Sequence, residues 1–141
     1  MTIDRTAPYA ALLLRVALGV MFLTHSVVLK GLTFTLAGTA KYFESIGLPG
    51  PLAYVVFAME AVGGLLLVLG VQTRLVAAAL IPVLLGATWV HAGNGWVFSA
   101  NGGGWEYPVF LVAASAVQVL LGSGAWALGP QRASLRLTQA T

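Results

Sequence analysis

The residues able to do chemistry in this sequence are few, and most of them sit inside apolar stretches. Arg15, His25 and Lys30 all fall within the first long apolar run, over residues 9–32. An Arg or Lys at the centre of a membrane-spanning helix costs about 2.5–3.5 kcal/mol on insertion scales, so such groups have a partner or a task. Glu60 is the one charge in the second apolar run, and on a helix it shares a face with Ala53, Phe57, Gly63, Gly64 and Leu67. Small residues beside an acid suit close helix packing around an inward-facing carboxylate. Arg15, on an antiparallel neighbouring helix, lies within about one turn of the same depth. Arg15 and Glu60 are therefore expected as a buried ion pair or a proton relay. The plainer alternatives are an Arg15 that snorkels to the headgroups and a Glu60 that only fixes helix packing.

A second set, His25, Lys30, His91, Trp105 and Glu106, falls toward the opposite end of the runs. Gathered beneath two loops and closed by Trp96 and Trp105, it is expected as an outer polar site for an anion, a quinone headgroup or a partner's peptide. Structural alternatives stand beside it. Lys30 suits an interfacial anchor, His25 a bond to a neighbouring helix, His91 a helix end, and Glu106 a first-turn acid complementing the helix dipole.

Other chemistries find no support. The sequence has no cysteine, which excludes disulfides, thiolate zinc sites, cysteine-held iron–sulfur clusters and c-type haem attachment. Its two histidines lie at different depths and lack the spacing of a metal motif, so neither a metal nor a b-type haem is expected. Asn101-Gly102-Gly103-Gly104 precedes a helix but lacks the lysine and strand of a phosphate loop. The net charge of +3 comes from a few groups flanking apolar runs, which is topology information and not a nucleic-acid footprint.

The elements that must position these residues are membrane helices. Of 141 residues, 59% are hydrophobic and 8% charged, far from the roughly 25% charged of soluble domains. The expected fold is all-α, a four-helix transmembrane bundle forming a single domain over 1–141, with helices over about 9–30, 51–70, 75–91 and 107–126. A short interfacial segment, Leu36 to Ile46, lies between the first two, amphipathic with Lys41 and Glu44 in water. Gly47-Leu48-Pro49-Gly50-Pro51 forms a turn that opens the second helix, and Pro82 kinks the third. The first run is too long for the core of a signal peptide. Four spans place both termini on one face, with Arg5, Arg74, Arg132 and Arg136, against Lys30 and Lys41 on the other. The positive-inside rule makes the first face cytoplasmic.

The ordered set of motifs resembles the DoxX family of membrane proteins. It comprises Leu14-Arg15-Val16-Ala17-Leu18-Gly19, Phe22-Leu23-Thr24-His25 with Lys30, Gly47-Leu48-Pro49, Glu60 with Gly63-Gly64-Leu65-Leu66-Leu67, Thr73-Arg74, and His91. Gly104-Trp105-Glu106-Tyr107-Pro108 and Gly122-Ser123-Gly124 complete it, so the likeness runs from about residue 13 to 128. Ser26 stands where many members have glycine, and Ser123 where they more often have proline. The resemblance implies a four-helix integral membrane protein, and with the charge bias the expectation is a protein of the bacterial inner membrane, embedded in the lipid bilayer with both termini cytoplasmic. Some members are subunits of quinone-linked oxidation systems, including thiosulfate:quinone oxidoreductase; others associate with redox-stress machinery.

The leading expectation is a redox-associated membrane subunit or anchor, with a quinone as the one cofactor the resemblance admits. A redox protein or a second copy of the chain would be its partner, and nucleic acid would not. The alternatives are a small proton-coupled transporter using Glu60 and a purely structural assembly protein.

Overall fold

The computed structural model describes residues 5–129. Arg132 and Arg136 of the charge count lie outside the described residues. The regular elements among the described residues are all helices, with no strand. Helix α1 (Ala7–Leu23) carries Pro8, whose missing N–H suits a first turn, and runs straight into a π-helical segment, Thr24–Thr33. After a break comes α2 (Leu36–Ser45), the amphipathic helix expected between the first two runs. Then follow α3 (Leu52–Leu69), α4 (Thr73–His91) with a 3-10 turn at Ala92–Asn94, and α5 (Glu106–Leu121). α4 continues through Pro82.

The π-helical segment has a local cause. Its sequence, THSVVLKGLT, is poor in strong helix formers. At its entry the Thr24 hydroxyl donates to the Val20 carbonyl at 2.9 Å and the Ser26 hydroxyl to the Phe22 carbonyl at 2.8 Å. Hydroxyls that bond back in this way compete with the i→i−4 backbone bonds. The exit shows the wider spacing directly: the Phe34 N–H donates to the Leu29 carbonyl at 2.8 Å, five residues back.

α1 packs along α3, α4 along α5, and the contacts of α3 with α4 and of α1 with α5 join the two pairs. Leu18, Phe22, Leu67, Leu80, Leu84 and Leu111 form the shared core. The closest approach is backbone on backbone. A Cβ built on Gly64 would stand 2.9 Å from the Gly19 carbonyl oxygen and 3.0 Å from the Leu23 nitrogen. Neither atom can turn aside, so Gly64→Ala is expected to wedge α1 from α3 and cost about 1–3 kcal/mol, read as a lower unfolding midpoint in detergent. Gly86→Ala is the control: it meets nothing within 4 Å, and alanine is the better helix former. Equal midpoints for the two variants would remove the close-packing account.

The helix expected to run to residue 126 ends at Leu121. Gly122 takes a φ of 81° and Gly124 one of 70°, left-handed conformations that stop a helix. The chain then folds back beneath α1 and α3. The Ala125 N–H donates to the Pro8 carbonyl at 2.9 Å, and the Leu128 N–H to the Leu69 carbonyl at 3.0 Å.

Candidate functional site

Arg15 does not pair with Glu60. Its guanidinium is fully buried and donates to the carbonyls of Leu67 at 2.9 Å, Val68 at 2.7 Å and Ala125 at 3.1 Å. These are the end of α3 and the returning segment. The last carbonyls of a helix lack partners within it and carry its negative dipole end, so a cation here is well placed. Arg15 therefore neither pairs with an acid among the described residues nor snorkels.

Glu60 pairs instead with Lys30, whose Nζ donates to Oε2 at 2.6 Å. Their side chains are 18% and 7% exposed, so both charges are largely withdrawn from the surface. The exchange of partners has a simple physical reason. The Gly19–Gly64 contact sets the register of the two antiparallel helices. Side chains on a helix lean toward its N-terminus. Arg15 therefore leans away from Glu60 and toward the end of α3. Lys30 leans down toward Glu60, and Glu60, on the oppositely directed helix, leans up to meet it.

The π-helical segment adds a second effect. In an α-helix residues five apart point about 140° away from each other. With hydrogen bonds closing every five residues, they stack on one face. His25 and Lys30 are five apart, and both line a pocket of about 530 Å³ between this segment and α2. Thr39, Tyr42 and Phe43 form the α2 side of it, with Phe34 between the two. The Thr39 hydroxyl is held by the carbonyls of Thr35 at 2.9 Å and Lys30 at 3.4 Å.

The five residues expected as one outer site divide into two groups. His25 and Lys30 belong to the pocket. His91 and Glu106 instead hold the loop between α4 and α5 in shape. His91 Nδ1 lies 3.0 and 3.1 Å from the carbonyls of Gly102 and Gly103, which requires the hydrogen on Nδ1. The Asn94 amide donates to the same two carbonyls. Glu106 accepts from the Phe98 N–H at 2.8 Å, and Trp105 meets Trp96 edge-on with centroids 4.4 Å apart. A stacked contact of His25 on Tyr107, centroids 6.3 Å apart, links the groups. Asn94→Ala is expected to loosen this loop by about 1 kcal/mol. That is a roughly fivefold larger open population, read as faster cleavage within residues 92–105 by a nonspecific protease. An unchanged cleavage rate would contradict the assignment.

The α2 residues were missing from the expected site. Their signal is present in the sequence: Leu36, Thr39, Ala40 and Phe43 follow the i, i+3, i+4, i+7 spacing of one helical face, and all four are at least half-buried. What they cover is a matter of tertiary placement.

The helices of 7–33, 52–69 and 73–94 are long and apolar enough to cross a bilayer, with mean hydropathies of 2.0, 2.2 and 1.9. At most 28% of each is buried inside the chain, and Leu13 and Leu32 stand 72% and 75% exposed. Apolar side chains turned outward around an inward-turned ion pair define an integral membrane protein. The chain belongs to the DoxX family, whose model matches residues 10–93. That match takes in Arg15, His25, Lys30, Glu60 and His91 and stops before Trp105 and Glu106. The chain is also similar to the Bacillus subtilis (strain 168) protein named "Putative oxidoreductase CatD". The two are 38% identical over 85 residues, a stretch that spans 60% of this chain and 60% of that relative. No solved structure matches the chain.

Proposed function

We propose that this protein is a redox-associated subunit of the bacterial inner membrane that binds a quinone in the pocket between the π-helical segment and α2. The observation that carries the reading is the pairing of donors with an aromatic wall. Lys30 and His25 share one face, and Phe34, Tyr42 and Phe43 lie opposite or beside them. A volume of about 530 Å³ falls in the usual range of small-molecule sites. Lys30 and His25 would donate to the ring oxygens and the aromatic side chains would hold the ring plane. A bound quinone supplies two-electron acceptance within the membrane. The oxidoreductase name of the relative CatD supports the same class of work.

In this reading α5 is the fourth span of a four-helix bundle. It is 16 residues long and apolar. Both termini face the cytoplasm, with Arg5 and Arg74. Since Lys30 is spent on Glu60, the opposite face keeps only Lys41 as a free basic group among the described residues, which strengthens the charge bias. A redox protein or a second copy of the chain would complete the assembly.

The test is extraction of the native protein. Quinone is expected to co-purify at near-equal amounts with wild type and to fall severalfold with Lys30→Met. Wild-type protein free of quinone, with quinone reduction unchanged in a deletion strain, would sink the reading. A second reading, proton-coupled transport, draws on Glu60 at mid-span. It requires wild-type vesicles to move a lipophilic cation against a proton gradient and Glu60→Gln vesicles to fail.

A further inference from the structure

We propose that the pocket beside α2 selects an uncharged ligand, and that Glu60, which stands behind Lys30 and outside the pocket wall, imposes the choice. This rests on the ligand-binding reading above and adds a rule for what the site refuses.

Among the described residues, Lys30 is the one lysine, arginine or carboxylate residue in the pocket wall. Taken alone it would invite an anion. Its charge is already answered, because Glu60 Oε2 lies 2.6 Å from Nζ. The charged residues of α2 do not alter the balance. Lys41 and Glu44 are exposed, and the Glu44 carboxylate is turned toward Gly50. The wall is otherwise apolar or aromatic, apart from His25 and the Tyr42 and Thr39 hydroxyls, and the Thr39 hydroxyl is already bonded to backbone. An anion entering here would be a second negative charge against a single cation, in surroundings of low dielectric.

An uncharged ring with oxygen acceptors meets no such conflict. An ammonium group has three hydrogens, and the ion pair with Glu60 uses one. Lys30 can therefore keep Glu60 and still donate to a ligand. His25 makes no hydrogen bond among the described residues, and its ring stacks on Tyr107, which leaves its nitrogens for a second oxygen. The site accordingly fits a flat, neutral, oxygen-bearing ring of the 1,4-benzoquinone type and disfavours carboxylates and sulfur oxyanions. Oxyanion substrates of an assembled redox system would then have to be met by a partner or at another surface.

The test compares two probes on the purified full chain in lipid nanodiscs by equilibrium dialysis: a short-chain 1,4-benzoquinone, and the same ring carrying a carboxylate. Wild type is expected to hold the neutral probe about tenfold more tightly or better, since like charges in a desolvated site repel strongly. Glu60→Gln leaves Lys30 unanswered and is expected to bring the ratio to one or below. The double variant Lys30→Gln/Glu60→Gln is neutral again and is expected to restore the preference. Equal binding of both probes by wild type, or a ratio that Glu60→Gln does not move, overturns the charge rule while leaving a ligand site in place. Binding of neither probe overturns the ligand reading and this inference with it. If a variant fails to fold, the wild-type comparison still tests the preference itself, and equal binding of both probes still overturns it.

Discussion

Arg15→Met is expected to destabilise the protein by about 3–5 kcal/mol, the range for stripping a buried, hydrogen-bonded charge from its partners. The residue is fully buried and ties three chain segments together, α1, the end of α3 and the segment after α5. Methionine fills much of the stem's volume, so the loss isolates the guanidinium and not the packing. It leaves the carbonyls of Leu67, Val68 and Ala125 without these donors. Gly70 makes repair difficult: a Cβ there would stand 2.5 Å from an Arg15 nitrogen, so the backbone is already pressed against the guanidinium. Arg15→Lys should recover part of the loss, because an ammonium can reach one or two carbonyls but cannot span the fork. Unfolding midpoints in detergent check this. A change in Arg15→Met of less than about 0.5 kcal/mol, the usual size for an uninvolved surface site, would show that the cap does not hold the end of α3.

Lys30→Met is expected to cost about 3 kcal/mol, and the double variant Lys30→Met/Glu60→Leu less than that single change. The ordering is the informative part. Removing the lysine leaves a carboxylate whose side chain is only 7% exposed without its cation. Removing both charges leaves an apolar contact between α3 and the π-helical segment. Glu60→Gln should be milder than either single apolar change, since the amide oxygen can still accept from Nζ. A double-mutant cycle measures the coupling. If the two single effects simply add, the ion pair contributes nothing and the partners act independently.

Much of the architecture was legible in the sequence because the signals are local. Pro8, Pro51 and Gly70 stand at helix ends for steric reasons that need no tertiary context. Gly70 shows the logic in full: at a φ of 74° it closes α3, with the Val71 N–H bonded to the Leu66 carbonyl at 3.0 Å and its own N–H to Leu67 at 3.1 Å. The chemistry-bearing residues were legible too, since charge within an apolar run stands out at any register. Gly122 is also visible, yet the hydropathy pattern carries the last helix to about 126, five residues past its end at Leu121. Apolar Ala125 and Trp126 continue the hydropathy pattern while their backbone does something else.

Which charges meet was not legible. The sequence by itself determined an all-helical, membrane-type chain of the DoxX kind and the set of ionisable groups its interior must accommodate. Only the tertiary structure decided that Lys30, and not Arg15, answers Glu60. Two physical facts account for that. Partner choice depends on the direction in which side chains lean on antiparallel helices, once the Gly19–Gly64 contact has set their register. It depends also on ten residues of π-helix, Thr24–Thr33, which break the 3.6-residue period that any reading of a helical face assumes and bring His25 and Lys30 together beside α2.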